Sequence, residues 1–180
     1  METGTGRKGH GATGWRVREM KVEYVQPFVA SAVHVIQHLL GSTPERGELG
    51  ARPRIFTTQQ VSIVCGIIGD VQGQVIYGMS VMAADKVASI MLGRNVVTFD
   101  QLAASAIAEM GNMISGHAAT MLAREGYRVE ITPPTIIRGK DVKISTLDVP
   151  ALVIPMEIEK VGTMEINVSL VERSPRAIAA

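Results

Sequence analysis

The sequence predicts an α+β domain, with long helices packed on an antiparallel sheet. Three observations point there. Two segments, 24–40 and 100–124, carry apolar residues at helical spacing. The Val- and Ile-rich stretches at 55–80 and 151–172 read as antiparallel hairpins, and each lies downstream of one of those helices. Finally, Ser31-Ala-Val-x-x-Ile-x-x-Leu-Leu40 lines up with Ser105-Ala-Ile-x-x-Met-x-x-Met-Ile114 at an offset of 74, a weak internal repeat of one helix-plus-hairpin unit. Two amphipathic helices also match by chance, because helical apolar spacing is common.

In chain order, Phe28, Val29, Ala32, Val33, Ile36, Leu39 and Leu40 set the first helix. Pro27 sits near its start, where a missing N–H costs little. Gly41 and Pro44 stop it. The stretch 55–80 is read as a strand pair turning around Gly69-Asp-Val-Gln-Gly73. A short helix spans 83–92, with Gly93 as its C-cap. The long helix follows, with Thr98 or Asp100 as N-cap and Gly126 as the stop. Ile131-Thr-Pro-Pro-Thr135 must be extended, since each Pro biases its predecessor away from helix. The last hairpin turns near Gly162.

Length and composition bound the function. A chain of 180 residues with 46% apolar residues suits one domain with a real core. Eighteen basic against 17 acidic residues, net +1, argues against a generic nucleic-acid binder and a polybasic membrane anchor. The least charged stretch, 55–84, holds only Asp70 but is broken by Gly66, Gly69, Gly73 and Gly78, so it is no membrane helix. Cys65 has no second cysteine to pair with, and a reducing cytoplasm is the expected compartment. Residues 1–19 hold five glycines and no apolar run, so they lack the core of a signal peptide. They are read as a disordered tail, an added remnant or an upstream start, with Met20 opening the folded domain over 20–175 and a frayed end at 176–180. The tail also holds four basic and two acidic residues, so the remainder is slightly acidic.

The long helix is unusual. At 100° per residue, Ala103, Ile107, Met110, Ile114, Ala118 and Met121 form a stripe that should face the core. The opposite face centres on Asn112, ringed by Ser105, Ala108, Glu109, Gly116, Ala119 and Ala123. An ordinary solvent face would carry long charged side chains. Gly111 and Gly116 each cost roughly 1 kcal/mol relative to Ala inside a helix, and close approach of another surface would offset that. Glu109 and Asn112 are three apart and therefore neighbours. A carboxylate can pair with a lysine, and a carboxamide can donate and accept at once, which suits orienting a water. Spacing alone leaves open a plain surface Glu and Asn above a Gly/Ala helix contact, since Glu-x-x-Asn is a very short pattern.

Ser105-Ala-Ile-Ala-Glu-Met-Gly-Asn-Met-Ile-Ser-Gly116, followed by Ile131-Thr-Pro-Pro134, resembles the CheX branch of the CheC/CheX/FliY chemotaxis phosphatases. The resemblance spans roughly 21–173 and is most specific at the Glu-x-x-Asn helix with its following Gly. It implies a CheC-like fold: a pseudo-repeat of helix plus antiparallel hairpin, with long helices on antiparallel sheet. It implies hydrolysis of the aspartyl phosphate on a CheY-type response-regulator receiver, with Glu109 and Asn112 as the catalytic pair. Asn112 would orient the attacking water and Glu109 would pair with the receiver lysine. Ser105, Ala108, Met113, Gly116 and Ala119 would line the docking surface. CheC-type members carry the pair in both repeats; here the first-repeat positions are Val35 and His38, so one site per chain is expected. CheX-like proteins usually act as homodimers. Mg²⁺ would arrive with the receiver, the chain itself holding no cofactor. The competing reading is a non-catalytic adaptor that binds a receiver or a flagellar-switch protein through the same face.

Other candidates are weaker. His34 and His38 lie one helical turn apart but have no third ligand nearby in sequence. Cys65 falls in a strand expected to be buried, where Cys behaves as a small hydrophobe. By spacing, His117 reads as a packed helix histidine, and Met110 and Met113 read first as core filling, with an adaptable docking surface as the second reading. Gly69–Gly73 lacks the Lys-Ser/Thr of a phosphate loop. Ser62, Ser80 and Ser105 have no His/Asp partner at a supporting spacing.

Overall fold

The structure, a computed structural model, describes residues 20–53, 55–145 and 149–173. The readings for 1–19 and 176–180 therefore lie outside the described residues. The elements in order are α1 (Val22–Leu40), β1 (Glu45–Arg46), β2 (Gly50–Arg52), β3 (Ile55–Thr57), β4 (Val61–Gly69), β5 (Val71–Met79), α2 (Val81–Leu92), α3 (Gln101–Arg124), β6 (Val129–Ile131), β7 (Thr135–Arg138), β8 (Lys143–Ser145), β9 (Ala151–Ile158) and β10 (Gly162–Glu172).

Local chemistry sets the helix ends. Ser80 Oγ accepts from the Ala83 amide at 3.1 Å and opens α2. The Asp100 carboxylate accepts from the Ala103 amide at 2.8 Å and opens α3. Both oxygens satisfy amides that a first turn leaves without partners. Gly41 and Gly93 close α1 and α2 in the left-handed conformation, at φ 66° and 63°. Helix α1 begins at Val22, two residues before the position expected from its apolar pattern. Pro27 is thus in its second turn, not at its entry, and removes one internal hydrogen bond there.

The sheet is antiparallel throughout its pairings. Strand order is β1-β9-β10-β5-β4-β6, with β2 also on β9 and β7 also on β4. The two hairpins β4–β5 and β9–β10 meet at the centre, where β5 pairs β10 with Val75 opposite Val168 and Tyr77 opposite Ile166. The expected strand pair 55–80 divides: β4 and β5 cover 61–79, while β3 leaves to form a separate two-stranded sheet with β8. Strands β1, β2 and β8 are absent from the sequence reading. Glu-Arg, Gly-Ala-Arg and Lys-Ile-Ser are too short and polar to show alternation, and they pair because another strand offers open backbone groups.

All three helices cover one face of this sheet. Tyr24, Phe28 and Ile36 of α1, Ala84 and Val87 of α2, and Ile107, Met110 and Ile114 of α3 bury themselves against Ile63, Tyr77, Ile154 and Ile166. A small second cluster, Phe56, Ile76 and Ala151, lies elsewhere, with Val64 and Ile144 packed on it.

The two helical glycines differ. A Cβ on Gly111 would sit 2.6 Å from Ile63 Cγ2 of β4, so α3 lies on the sheet at a distance only glycine permits. A Cβ on Gly116 would meet nothing closer than Ile131 Cδ1 at 3.9 Å. The expected close approach is found at Gly111, inside the chain; nothing among the described residues requires glycine at Gly116. Opposite stability effects are therefore expected. Gly111→Ala should destabilise by about 1–2 kcal/mol, overpacking outweighing the gain in helix propensity. Gly116→Ala should stabilise by up to about 1 kcal/mol. Urea midpoints of the two variants against the parent check both signs.

Candidate active site

Helix α3 is clamped on its inner side. Ala103, Ile107, Met110, Ile114 and Ala118 are wholly buried, with Ala106, Gly111, Ser115 and Leu122 buried beside them. Met121, expected in the same stripe, is only half-buried, and its Sδ accepts from Ser31 Oγ of α1 at 3.6 Å. Tyr77 of β5 and Ser115 hydrogen bond hydroxyl to hydroxyl at 2.8 Å in the core. Burial pushes the Tyr77 phenol upward, so it stays neutral and can serve that bond. Cys65 is buried with its Sγ 3.9 Å from the Gly111 carbonyl, and burial raises its thiol. It is a packing residue, as expected. These contacts fix both the height and the rotation of α3.

Rotation decides the outer side. Ser105, Glu109 and Ala123 are exposed; Ala108, Asn112, Met113, Gly116 and Ala119 are half-buried. Met113 also packs on the core cluster, so it is shared between interior and surface, while Met110 is pure core. Glu109 and Asn112 stand together on this face, with Cβ atoms about 5–6 Å apart by helix geometry. Neither side chain makes a hydrogen bond or ion pair among the described residues. The Asn112 carboxamide and the Glu109 carboxylate thus have no partner among the described residues.

Helix α3 packs along α1, where His34 and His117 stack with ring centroids 5.3 Å apart. His117, expected to be a packed helix histidine, packs its ring on His34 of α1 while remaining exposed to solvent. The Thr132-Pro-Pro134 link between β6 and β7 is tied to β4. The Thr132 amide donates to the Gly66 carbonyl at 2.9 Å, and the Gly66 amide donates to Thr132 Oγ1 at 2.9 Å. Arg138 of β7 donates to the Phe99 carbonyl at 3.1 Å and lies over the Phe99 ring, anchoring the entry to α3. Tyr77, Ser115, Thr132 and Arg138 were not singled out from the sequence. Their signal, polar atoms within apolar runs, acquires meaning only once the partner is known.

Among the described residues, no group of three or more His, Cys, Asp or Glu is placed to hold a metal ion. At the first-repeat positions, Val35 is buried in the core and His38 is exposed. Val35 offers no chemistry, so that half of the repeat holds no second Glu/Asn pair.

Two paired helices over one antiparallel sheet, with a Glu-x-x-Asn helix turned outward, place the molecule in the CheC-like class of folds. The CheX chemotaxis protein of Desulfovibrio desulfuricans shares this fold, with a TM-score of 0.73 and 26% identity over 84% of this chain and 99% of that one. The Borrelia burgdorferi CheX seen in a CheX–CheY–BeF₃–Mg²⁺ complex matches at TM-score 0.73 and 30% identity, over 84% and 100% of the two chains. The CheY-P phosphatase CheX of Thermotoga maritima is 34% identical over 152 residues, 84% of this chain and 97% of that protein. The family described as chemotaxis phosphatase CheX matches residues 61–157. The chain belongs to the CheX family of chemotaxis phosphatases.

The cap that begins α3 carries a pH signature. The Ala103 amide holds the Asp100 carboxyl below the usual carboxylate range, with Arg94 helping. A folded pKa below the unfolded one means this cap stabilises fully above about pH 4 and is lost as pH falls through the folded value. Asp100→Asn keeps a good N-cap without the titration. Thermal midpoints between pH 6 and pH 3 should therefore fall more steeply for the parent than for Asp100→Asn.

Proposed function

We propose that this protein hydrolyses the aspartyl phosphate of a CheY-type receiver domain, with α3 inserted into the receiver's active site. The observation that carries this reading is the open pair: Glu109 and Asn112 side by side on the outer face of α3, without a hydrogen-bond partner among the described residues, in a chain of the CheX family. An acyl phosphate is already activated, so catalysis is positioning and charge stabilisation. Asn112 holds a water in line with phosphorus, its carboxamide oxygen accepting a hydrogen bond from the water and its NH2 group free to donate one. Glu109 pairs with the receiver's active-site lysine and fixes the docked pose. The water attacks phosphorus, the bond to the aspartate oxygen breaks, and the products are inorganic phosphate and the free carboxylate. Mg²⁺ belongs to the receiver substrate.

Ser105, Ala108, Met113, Gly116 and Ala119 form the contact surface around the pair. Small residues there let the two longer tips reach into a cleft, which gives a reason for glycine at Gly116 where no described residue requires one. Residues 20–175 are the phosphatase domain in this reading, working as a homodimer in the cytoplasm with one site per subunit. No described helix is long and apolar enough to cross a membrane.

The test is the lifetime of phosphorylated CheY-type receivers from the same genome, with and without the protein. Asn112→Ala should lose roughly 100-fold or more of the acceleration with its thermal midpoint unchanged. Glu109→Gln should raise KM roughly tenfold or more through the lost ion pair. Gly116→Ala should raise KM while stabilising the free chain. Full activity in Asn112→Ala removes the mechanism. Binding without any change in receiver lifetime leaves an adaptor.

A further inference from the structure

The outer face of α3 contains one residue that neither the core nor the Glu109/Asn112 pair accounts for. Leu102 is 50% exposed, the only exposed large apolar side chain on α3 among the described residues. It lies seven residues before Glu109, hence about 10.5 Å along the axis and within about 20° of it in rotation. Along 101–120 Glu109 is the only Asp, Glu, Lys or Arg, so the face has the charge-poor character of an interface centre.

Size settles what must cover it. A specific interface buries roughly 600–800 Å² on each partner, equivalent to a disc about 14–16 Å in radius. A partner whose pocket receives the tips of Glu109 and Asn112 is centred on that pair. Its footprint therefore extends over Leu102 in one direction and over Gly116 and Ala119 in the other. We infer that Leu102 is an apolar docking contact for the receiver domain, setting affinity for that partner without taking part in the chemistry. This rests on the reading that α3 enters a receiver's active site.

The test measures Kd for a CheY-type receiver loaded with Mg²⁺ and beryllofluoride, and kcat and KM on the phosphorylated form. Leu102→Ser should weaken Kd and raise KM about five- to tenfold with kcat within about twofold, as truncation of an interface apolar anchor does. Leu102→Met should restore both. Val22→Ser, which removes another exposed apolar side chain at the far end of α1, should change neither. An unchanged thermal midpoint excludes a folding defect. Normal turnover with unchanged Kd in Leu102→Ser overturns this inference alone, as does an effect confined to self-association. Weakened binding by Leu102→Ser, in a protein whose wild type leaves the phosphoryl lifetime untouched, upholds the docking contact and overturns the phosphatase reading. No binding by wild type overturns both.

Discussion

The seat of α3 on the sheet, where Gly111 lies against Ile63, is the constraint from which the rest of the molecule follows. A helix backbone this close to a strand has no freedom to roll, because every other residue would place a Cβ inside the contact. The buried Tyr77–Ser115 hydrogen bond reinforces it with direction. Rolling the helix would leave two hydroxyls unpaired in the core, a loss of about 1–3 kcal/mol for each. Packing and polar satisfaction thus select the same rotation, and that rotation turns Glu109 and Asn112 outward.

This arrangement explains a helix that is poor by ordinary standards. Two interior glycines and a face nearly free of charge lower its stability and its solubility. Gly111 is offset within the chain by core contact. The small outer residues are not, and their rationale is external: a partner whose cleft must be reached by a carboxylate and a carboxamide with little obstruction. Glu109 and Asn112 both stand on α3, whose inner side is held by the core and the sheet, so the pair is preorganised on a rigid helix. That suits a reaction in which positioning supplies most of the catalysis and the substrate supplies the metal.

Much of the fold was legible from short-range rules. Apolar spacing located α1 and α3, the short helix α2 was read as ending at Gly93, Gly41 marked the end of α1, and Asp100 was among the named caps. Strands β4, β5, β9 and β10 were legible because they are long and apolar. The brief strands β1, β2 and β8 were not, since their pairing depends on backbone groups opened by distant segments. The entry of α1 was misplaced because Pro27 suggests a first turn, whereas packing of Tyr24 and Val25 carries the helix two residues further back. That His117 packs on a helix was expected, but its partner, His34 of α1, was not legible, because a helix wheel alone does not say which neighbouring helix lies alongside.

The sequence by itself determined the chemistry on offer: a Glu and an Asn one turn apart among small residues, no second pair at Val35 and His38, and a near-neutral charge. Those are properties of residue identity and helical period. Only the tertiary structure decided that this face is the open one, that Gly111 serves the core while Gly116 meets no tight contact among the described residues, and that Leu102 shares a surface with the proposed pair. Such facts depend on which strand lies beneath the helix, and a contact between residues 63 and 111 has no local trace in either segment.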